Sequence, residues 1–130
     1  MSDAKGPTFT FLDSASVPWQ DSKQASGVEV KKLGKANGRA VQLVRFAPGA
    51  VFPTHLHHGP EFIFLLEGEA VQAGQRLKAG WSAVAEAGTI DENFYSDCGC
   101  VFLFHYALEP ASTPMKAESA SVQTACPPER

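Results

Sequence analysis

The sequence predicts an all-β protein, a β-sandwich or a β-barrel, and three observations lead to this prediction. Short apolar or alternating segments recur along the chain, as in half-buried strands. The 11 glycines and 9 prolines separate these segments at fairly regular intervals. No segment has the period of a convincing amphipathic helix. With 130 residues and 44% hydrophobic side chains, the chain is long enough for one domain with its own core.

The first half of the domain carries three predicted strand segments. VEVKKL (28–33) alternates between apolar and polar residues, which indicates a strand with one buried face. RAVQLVRF (39–46) follows after a turn-like GKANG (34–38) and continues the alternation. Ala47-Pro48-Gly49 then breaks the chain, and VFPTHLH (51–57) resumes it.

The second half is more strongly apolar. EFIFLLE (61–67) is rich in Phe, Ile and Leu and is too short between Pro60 and Gly68 for a convincing helix. Residues 69–77 predict a hairpin that turns at Gly74, and WSAVAE (81–86) predicts another short strand. The last segment, CVFLFHYAL (100–108), is apolar on both faces, so we expect it to be buried on both sides or covered by a partner.

The two ends of the chain differ from this pattern. Residues 1–26 contain Phe9, Phe11 and Trp19 among polar residues, and they form either an arm that docks on the domain or a partly ordered tail. The domain itself is expected over residues 27–110. Residues 111–130 are small, polar and proline-rich, which predicts a disordered tail.

Composition excludes several functional classes. Eleven basic against fourteen acidic residues give a net charge of −3 without a basic run, which argues against nucleic acid as a partner. The longest apolar stretch, Phe62 to Leu66, is far too short to span a membrane, and no secretory signal is visible. Cys98, Cys100 and Cys126 are an odd number of cysteines, which predicts a reduced, cytoplasmic protein.

Three of the four histidines lie within four positions and suggest a metal site. On a strand, His55 and His57 point to the same face with Cα atoms roughly 6.6 Å apart, so both imidazoles can bind one ion. His58 points elsewhere. After the turn at Gly59 and Pro60, Glu61 can supply a carboxylate from the next strand. Two histidines and one carboxylate suit Fe(II), Mn(II), Ni(II) or Zn(II).

A His-x-His pair alone is more often a solvated strand face, but its context here is a longer motif. Gly49, His55, His57, Glu61 and Gly68 reproduce the pattern G-x5-H-x-H-x3-E-x6-G. This pattern resembles the first signature of the cupin superfamily at every fixed position. The resemblance implies a single-domain cupin jelly-roll β-barrel (a double-stranded β-helix, RmlC-like) that binds one divalent transition metal.

The second cupin signature is only partly present. Gly80, Gly88 and Asn93 match it, whereas Glu86 replaces a proline and Asp91 replaces the fourth metal-binding histidine. Asp91 has three interpretations. It ligates the metal, which would favour harder ions such as Mn(II) or Fe(II); it is a turn residue or a hydrogen-bond acceptor behind the ligands; or the site has decayed and binds no metal. We favour ligation, and the retained histidines and glutamate make decay the weakest interpretation.

Residues 27–108 resemble a narrower group of cupins, those related to the zinc-binding sensor domain of certain anti-sigma factors. That group includes small dioxygenases that cleave β-diketones and acetophenone-type ketones. No helical sigma-binding domain is expected before this cupin. The resemblance therefore implies a dioxygenase that acts on a small organic molecule, or alternatively a non-catalytic metal- or ligand-sensing module. A metal-free, sugar-epimerase-like cupin is disfavoured by the HxH and glutamate set.

Residues outside the motif add three expectations. His105 is a candidate proton acceptor if its strand face, shared with Val101 and Leu103, lines the barrel; a buried or dimer-interface histidine is the more common outcome. The two-faced strand 100–108 is consistent with a homodimer formed through the outer face of a sheet. Apolar residues are expected to keep the surroundings of the metal dry: Phe52, Ile63, Leu65 and Phe104.

Overall fold

The computed structural model describes residues 6–108, except for the side chain of Asp91. The predicted tail, 111–130, and Cys126 lie outside the described residues. The described chain is a single all-β domain, a jelly-roll barrel, preceded by one short 3-10 helix, Ser14–Ser16. Its strands are β1 Gln20–Asp21, β2 Val28–Ala36, β3 Arg39–Phe46, β4 Val51–Phe52, β5 His55–Leu56, β6 Glu61–Gln72, β7 Gln75–Lys78, β8 Ser82–Ala85, β9 Ile90–Asp91, β10 Phe94–Tyr95 and β11 Cys100–Ala107.

One long strand joins the two sides of the barrel. Nine strands form a curled antiparallel sheet: seven follow the order β1-β2-β3-β11-β6-β10-β4, and β7 and β8 pair with β6 beside this path. The first half of β6 pairs with β11 and β8, and its second half pairs with β7 and β10. The remaining strands, β5 and β9, pair with each other and form a separate two-stranded sheet.

The continuity of β6 differs from the sequence prediction, which separates strand 61–67 from a hairpin at Gly68. Gly68 does not end the strand; it adopts a φ of +77° inside it. A Cβ at this position would meet the carbonyl oxygen of Gly99, so only glycine allows β11 to approach so closely. The pairing register of β11 shifts between Val101 and Phe102, close to this contact.

The predicted turn at 34–38 is shorter in the structure. β2 continues to Ala36, and the turn consists of Asn37 and Gly38, with φ angles of +49° and +79°. Two positive φ angles favour Asn-Gly in a two-residue hairpin. β1, β9 and β10 are not predicted by the sequence, because two-residue strands are too short to show alternation.

The core lies on the inner side of the curled sheet, inside the barrel. The rings of Phe46, Phe94 and Phe102 pack with centroids 5.1 to 5.5 Å apart, and Leu65 is fully buried beside them. Ser96, also fully buried, donates to the carbonyl of Glu69 at 2.5 Å and therefore satisfies its hydroxyl. In the described residues, no helix is long and apolar enough to cross a membrane.

The N-terminal arm contacts β2 and β3 at several points: β1 pairs with β2, Nζ of Lys31 donates to the carbonyl of Ser14 at 2.9 Å, and one aromatic residue, Trp19, packs on basic side chains. The Trp19 ring lies 4.2 Å from the Arg45 guanidinium carbon and 5.0 Å from the Lys31 ammonium, in the geometry of cation–π contacts. In contrast, Phe9 and Phe11 are each 83% exposed and stack only on each other. The aromatic residues of the arm thus do not act as one docking unit in the chain.

Candidate metal centre

Three predicted ligands come together at one end of the barrel. His55 in β5, His57 just after it and Glu61 at the start of β6 each offer a ligand atom, and these atoms lie within 4.8 Å of one another. We call these three residues the ligand cluster. His57 is 2% exposed, and the Glu61 side chain is 22% exposed. His58 is exposed and does not belong to the ligand cluster, although it also lines the cavity described below.

Backbone hydrogen bonds fix the segment that carries the histidines. β5 pairs with β9, with His55 opposite Asp91. The pairing is prolonged by the amide of His57, which donates to Thr89 at 2.9 Å, and by the amide of Gly88, which donates to His57 at 2.8 Å. The segment 55–57 is therefore held extended, and both imidazoles project from the same side.

The imidazole of His55 is oriented by a backbone carbonyl. Its Nδ1 lies 3.0 Å from the carbonyl oxygen of Pro53. A carbonyl oxygen only accepts hydrogen bonds, so Nδ1 carries the hydrogen. The lone pair of neutral His55 is then on Nε2, the usual arrangement of a histidine whose other nitrogen is held by the protein.

Thr89 orients His57 in the same way. The Thr89 hydroxyl donates to the carbonyl of Glu86 at 2.9 Å, which uses its only hydrogen. It must therefore accept from Nδ1 of His57, which lies 2.9 Å from Oγ1. The lone pair of neutral His57 is on Nε2, and this atom lies 3.1 Å from Oε1 of Glu61.

The ligand cluster fits a cation by the chemistry of its donors. The Nε2 lone pairs of His55 and His57 and a carboxylate oxygen of Glu61 converge. Acceptors that face each other at such distances repel unless positive charge lies between them, and burial of His57 strengthens this requirement. Two imidazole nitrogens and one carboxylate oxygen are ligands that first-row divalent metals accept. These residues therefore fit a metal ion.

Asp91 is the fourth predicted ligand. The structure places its backbone in β9 opposite His55, so Asp91 and His55 belong to the same two-stranded sheet. Its side chain lies outside the described part of the structure. Ligation by Asp91 remains a prediction.

A cavity of about 590 Å³ opens beside the ligand cluster. His55 and Glu61 line it, and so do Phe52, Ile63 and Phe104, three of the four apolar residues that the sequence suggested. Leu65 is instead buried in the core and does not line the cavity. The size of the cavity suits a small organic molecule.

Three polar residues that line the cavity were not predicted from the sequence. Tyr106, Gln42 and Lys32 line the cavity, and the Tyr106 hydroxyl lies 3.3 Å from Oε1 of Gln42. Burial, and to a lesser degree the negative charge of Glu61, raise the pKa of Tyr106 above its usual value. Tyr106 therefore stays protonated and can donate at neutral pH. Alternation along β11 was the only available signal for its inward position.

His105 lies on the other face of β11 from the cavity. Its ring stacks on Phe62 with centroids 5.4 Å apart, and its Nε2 accepts from Nε of Arg39 at 3.4 Å. The face shared by Val101, Leu103 and His105 is the outer face of the sheet, so the structure does not bring His105 to the ligand cluster.

The two described cysteines form no second metal site. Cys98 precedes β11, and Cys100 begins it and is buried. Burial raises the pKa of the Cys100 thiol to about 11, against smaller opposing effects of hydrogen bonds with Ser96 and Phe46. A neutral, buried thiol is suited to a packing role in the core.

Comparison with known proteins identifies the family. The family model described as the ChrR cupin-like domain matches residues 8–109. This chain belongs to the ChrR cupin-like family. The sequence matches no curated protein at a significant level.

Solved structures support the cupin fold. The polyketide cyclase RemF from Streptomyces resistomycificus aligns with a TM-score of 0.73 and 18% identity, over 85% of this cupin and 88% of RemF. A putative acetylacetone dioxygenase from Methylibium petroleiphilum aligns with a TM-score of 0.74 and 17% identity, over 90% and 92% of the two chains.

A third match is to one chain of a protein complex. The Rhodobacter sphaeroides complex of SigE with the anti-sigma ChrR contains a chain that aligns with a TM-score of 0.62 and 22% identity. The alignment covers 71% of this cupin but only 49% of that chain. At these identities, the three similarities establish the cupin fold and leave the function to be argued from the site.

Proposed function

We propose that this cupin is a mononuclear, metal-dependent dioxygenase that cleaves a carbon–carbon bond of a small β-diketone or aromatic ketone. The observation that carries the proposal is the convergence of His55, His57 and Glu61 beside a cavity that is lined in part by apolar residues. Two histidines and one carboxylate with open positions are the ligand set of non-haem Fe(II) oxygenases. The putative acetylacetone dioxygenase among the structural neighbours supports this choice.

In this proposal, one set of residues holds the metal and another contacts the substrate. Nε2 of His55, Nε2 of His57 and a carboxylate oxygen of Glu61 would hold the ion, with Asp91 as a proposed fourth ligand. When bound, a redox-active divalent metal supplies Lewis acidity toward substrate oxygens and electrons for O₂. Phe52, Phe104 and Ile63 exclude water from the organic part of the substrate.

The metal is proposed to be Fe, with Zn, Ni and Mn as the other candidates. A ligand set with Glu61 and Asp91 would carry two negative charges and favour the harder Fe(II) or Mn(II). Metal analysis of the protein purified under nitrogen would show which ion copurifies and in what stoichiometry. We expect close to one divalent metal ion per chain.

Oxygen uptake tests the reaction. The iron-loaded protein is mixed with a panel of β-dicarbonyl compounds, and O₂ consumption and products are measured. Each turnover adds both atoms of one O₂ and breaks one carbon–carbon bond, so pentane-2,4-dione should give a carboxylic acid and a 1,2-dicarbonyl fragment. The matched control is the His57→Ala protein under identical conditions. Metal binding without O₂ uptake by any compound of the panel would contradict the enzyme proposal.

The second candidate function is a non-catalytic metal- or ligand-sensing module. It is favoured by the family, which is defined by the cupin-like domain of ChrR, and by the structural match to a complex with an anti-sigma factor. A sensor would bind metal or ligand with a change in stability or partner binding and without O₂ uptake. Thermal unfolding with and without metal, run beside the oxygen measurement, distinguishes the two functions.

We also propose a homodimer and a reduced, cytoplasmic location. The outer face of the large sheet exposes Phe64, Leu66 and Val84 at 44%, 43% and 64%, which is the kind of surface that a second subunit covers. Light scattering of the wild type and of Val84→Lys tests the dimer, because a charge on this face should reduce association.

A further inference from the structure

Three polar side chains on the inner face of the large sheet line the cavity. Lys32 of β2 pairs with Gln42 of β3, and Gln42 pairs with Phe104 of β11. Tyr106 is the next inward residue of β11 and pairs with Glu61 of β6. We call Lys32, Gln42 and Tyr106 the polar wall. It extends from Tyr106, which neighbours the ligand cluster, to Lys32 near the opposite edge of the sheet.

The polar wall presents hydrogen-bond donors. Oε1 of Gln42 accepts from the Tyr106 hydroxyl at 3.3 Å, which directs the donor end of the amide, its NH₂ group, toward other partners. Lys32 adds an ammonium group with three donors and a positive charge. Such a wall is complementary to an acceptor with negative charge.

The other charges at the cavity leave this preference in place. Glu61 belongs to the ligand cluster, where a metal ion would neutralise it. Asp21 and Lys23 also line the cavity, at the edge formed by β1, and their opposite charges offset each other. Lys32 is thus the positive charge that the polar wall presents to a ligand in the cavity, away from the metal.

Distance along the sheet separates the two binding regions. β2 and β6 are separated by β3 and β11, so Lys32 lies three strand spacings, roughly 14 Å, from the strand of Glu61. A long lysine side chain shortens this gap by several ångströms. One small molecule can therefore reach both regions only if its acidic group is remote from the group at the metal.

We propose that the polar wall selects 1,3-dicarbonyl substrates that carry a carboxylate at the end remote from the dicarbonyl group. Lys32 and the amide of Gln42 bind the carboxylate, Tyr106 fixes Gln42, and the dicarbonyl end faces the ligand cluster. This inference deepens the proposed dioxygenase function and rests on it for the dicarbonyl part. The carboxylate preference rests on the polar wall alone.

Two probes that differ only at the remote end test the proposal. Binding of 4,6-dioxoheptanoate and of heptane-2,4-dione to the zinc-loaded full-length protein is measured by calorimetry at low salt. We expect the carboxylate to bind about tenfold more tightly, in line with one or two hydrogen bonds to a charged group. The preference should shrink as salt is added. Equal affinities for the two probes would overturn the proposal.

Variants locate the preference. Lys32→Met should reduce the ratio of affinities to about one, whereas Lys35→Met, on the same strand and outside the cavity, should keep it. Tyr106→Phe should reduce the ratio in part, and Tyr95→Phe serves as its control. Metal content and circular dichroism of each variant show that it is folded and loaded. A full preference in Lys32→Met would overturn the proposal.

The binding experiment also separates this inference from the proposed function. A carboxylate preference that depends on Lys32, in a protein that consumes no O₂, would support the polar wall and reject the dioxygenase. Oxygen uptake with equal affinity for both probes would support the dioxygenase and reject the polar wall.

Discussion

Two regions of the same cavity are built in different ways. In the ligand cluster, the Nδ1 atoms of His55 and His57 are each hydrogen-bonded, to Pro53 and Thr89, and the histidines sit on a strand held by backbone pairing. In the polar wall, the side chains are long, Lys32 is exposed, and one hydrogen bond of 3.3 Å links two of them. The ligand cluster is therefore preorganised for an ion, while the polar wall can adapt to an organic group.

The comparison predicts that substitutions in the two regions have separable effects. Substitutions in the ligand cluster should reduce metal binding. Substitutions in the polar wall should leave metal binding unchanged and reduce the affinity for the organic ligand.

His57→Ala should have the largest effect. It removes one of a few strong ligands from a buried position, so metal affinity should fall by about 100-fold or more. Metal stoichiometry after dialysis measures the loss. His105→Ala is the matched control, because that histidine lies on the outer face of β11, and it should retain a full complement of metal. Retention of metal by His57→Ala would reject the assigned cluster.

Asp91 substitutions test the proposed fourth ligand. If Asp91 is a metal ligand, Asp91→Ala should lower the metal affinity by roughly tens of fold. Asp91→His should restore metal binding and shift the preference from Mn(II) toward Zn(II) or Ni(II). Competition between Mn(II) and Zn(II) measures both effects. If wild type and both variants behave alike, His55, His57 and Glu61 are the whole set of protein ligands.

Thr89→Val should have a smaller effect on the same ion. It keeps the shape of the side chain but removes the acceptor that holds Nδ1 of His57, so metal affinity should fall by about tenfold. Thr89→Ser retains the hydroxyl and should bind metal nearly as the wild type does. The comparison of these two affinities isolates the hydrogen bond, and a Thr89→Val protein with wild-type affinity would show that the imidazole is oriented by packing alone.

Cys100, at the apolar end of β11, should affect neither region at neutral pH. Its folded-state pKa is about 11, above the ordinary 9.0, so the folded protein holds this proton more tightly than the unfolded chain. The associated stability is complete below pH 9 and is lost as the pH rises to 11, a change of about 3 kcal/mol. Urea unfolding of the wild type and of Cys100→Ala between pH 8 and 11 measures this change. Because all other groups titrate in both proteins, the difference between their free energies of unfolding isolates the contribution of Cys100. Parallel pH curves for the two proteins would contradict the assignment.

The sequence by itself determined the β-rich fold and the ligand cluster. Alternation fixed the inward and outward sides of β2 and β3, and the motif from Gly49 to Gly68 identified His55, His57 and Glu61 before any coordinates. These features are local: two histidines on one strand share a face whatever surrounds them, and the spacing to Glu61 contains only one turn. The prediction failed at Gly68, where glycine allows a close approach between strands within a continuous strand and does not mark its end.

Only the tertiary structure decided which side of β11 faces the cavity. The segment CVFLFHYAL is apolar on both faces, so its sequence is compatible with either His105 or Tyr106 beside the metal. Pairing with β3 and β6 resolves this, because it places Phe102, Phe104 and Tyr106 on the face shared with Val44, Gln42 and Glu61. Likewise, Thr89 reaches His57 and Lys32 reaches the cavity from segments that are distant in sequence. Such contacts depend on register between strands, and the period of a single strand contains no information about register.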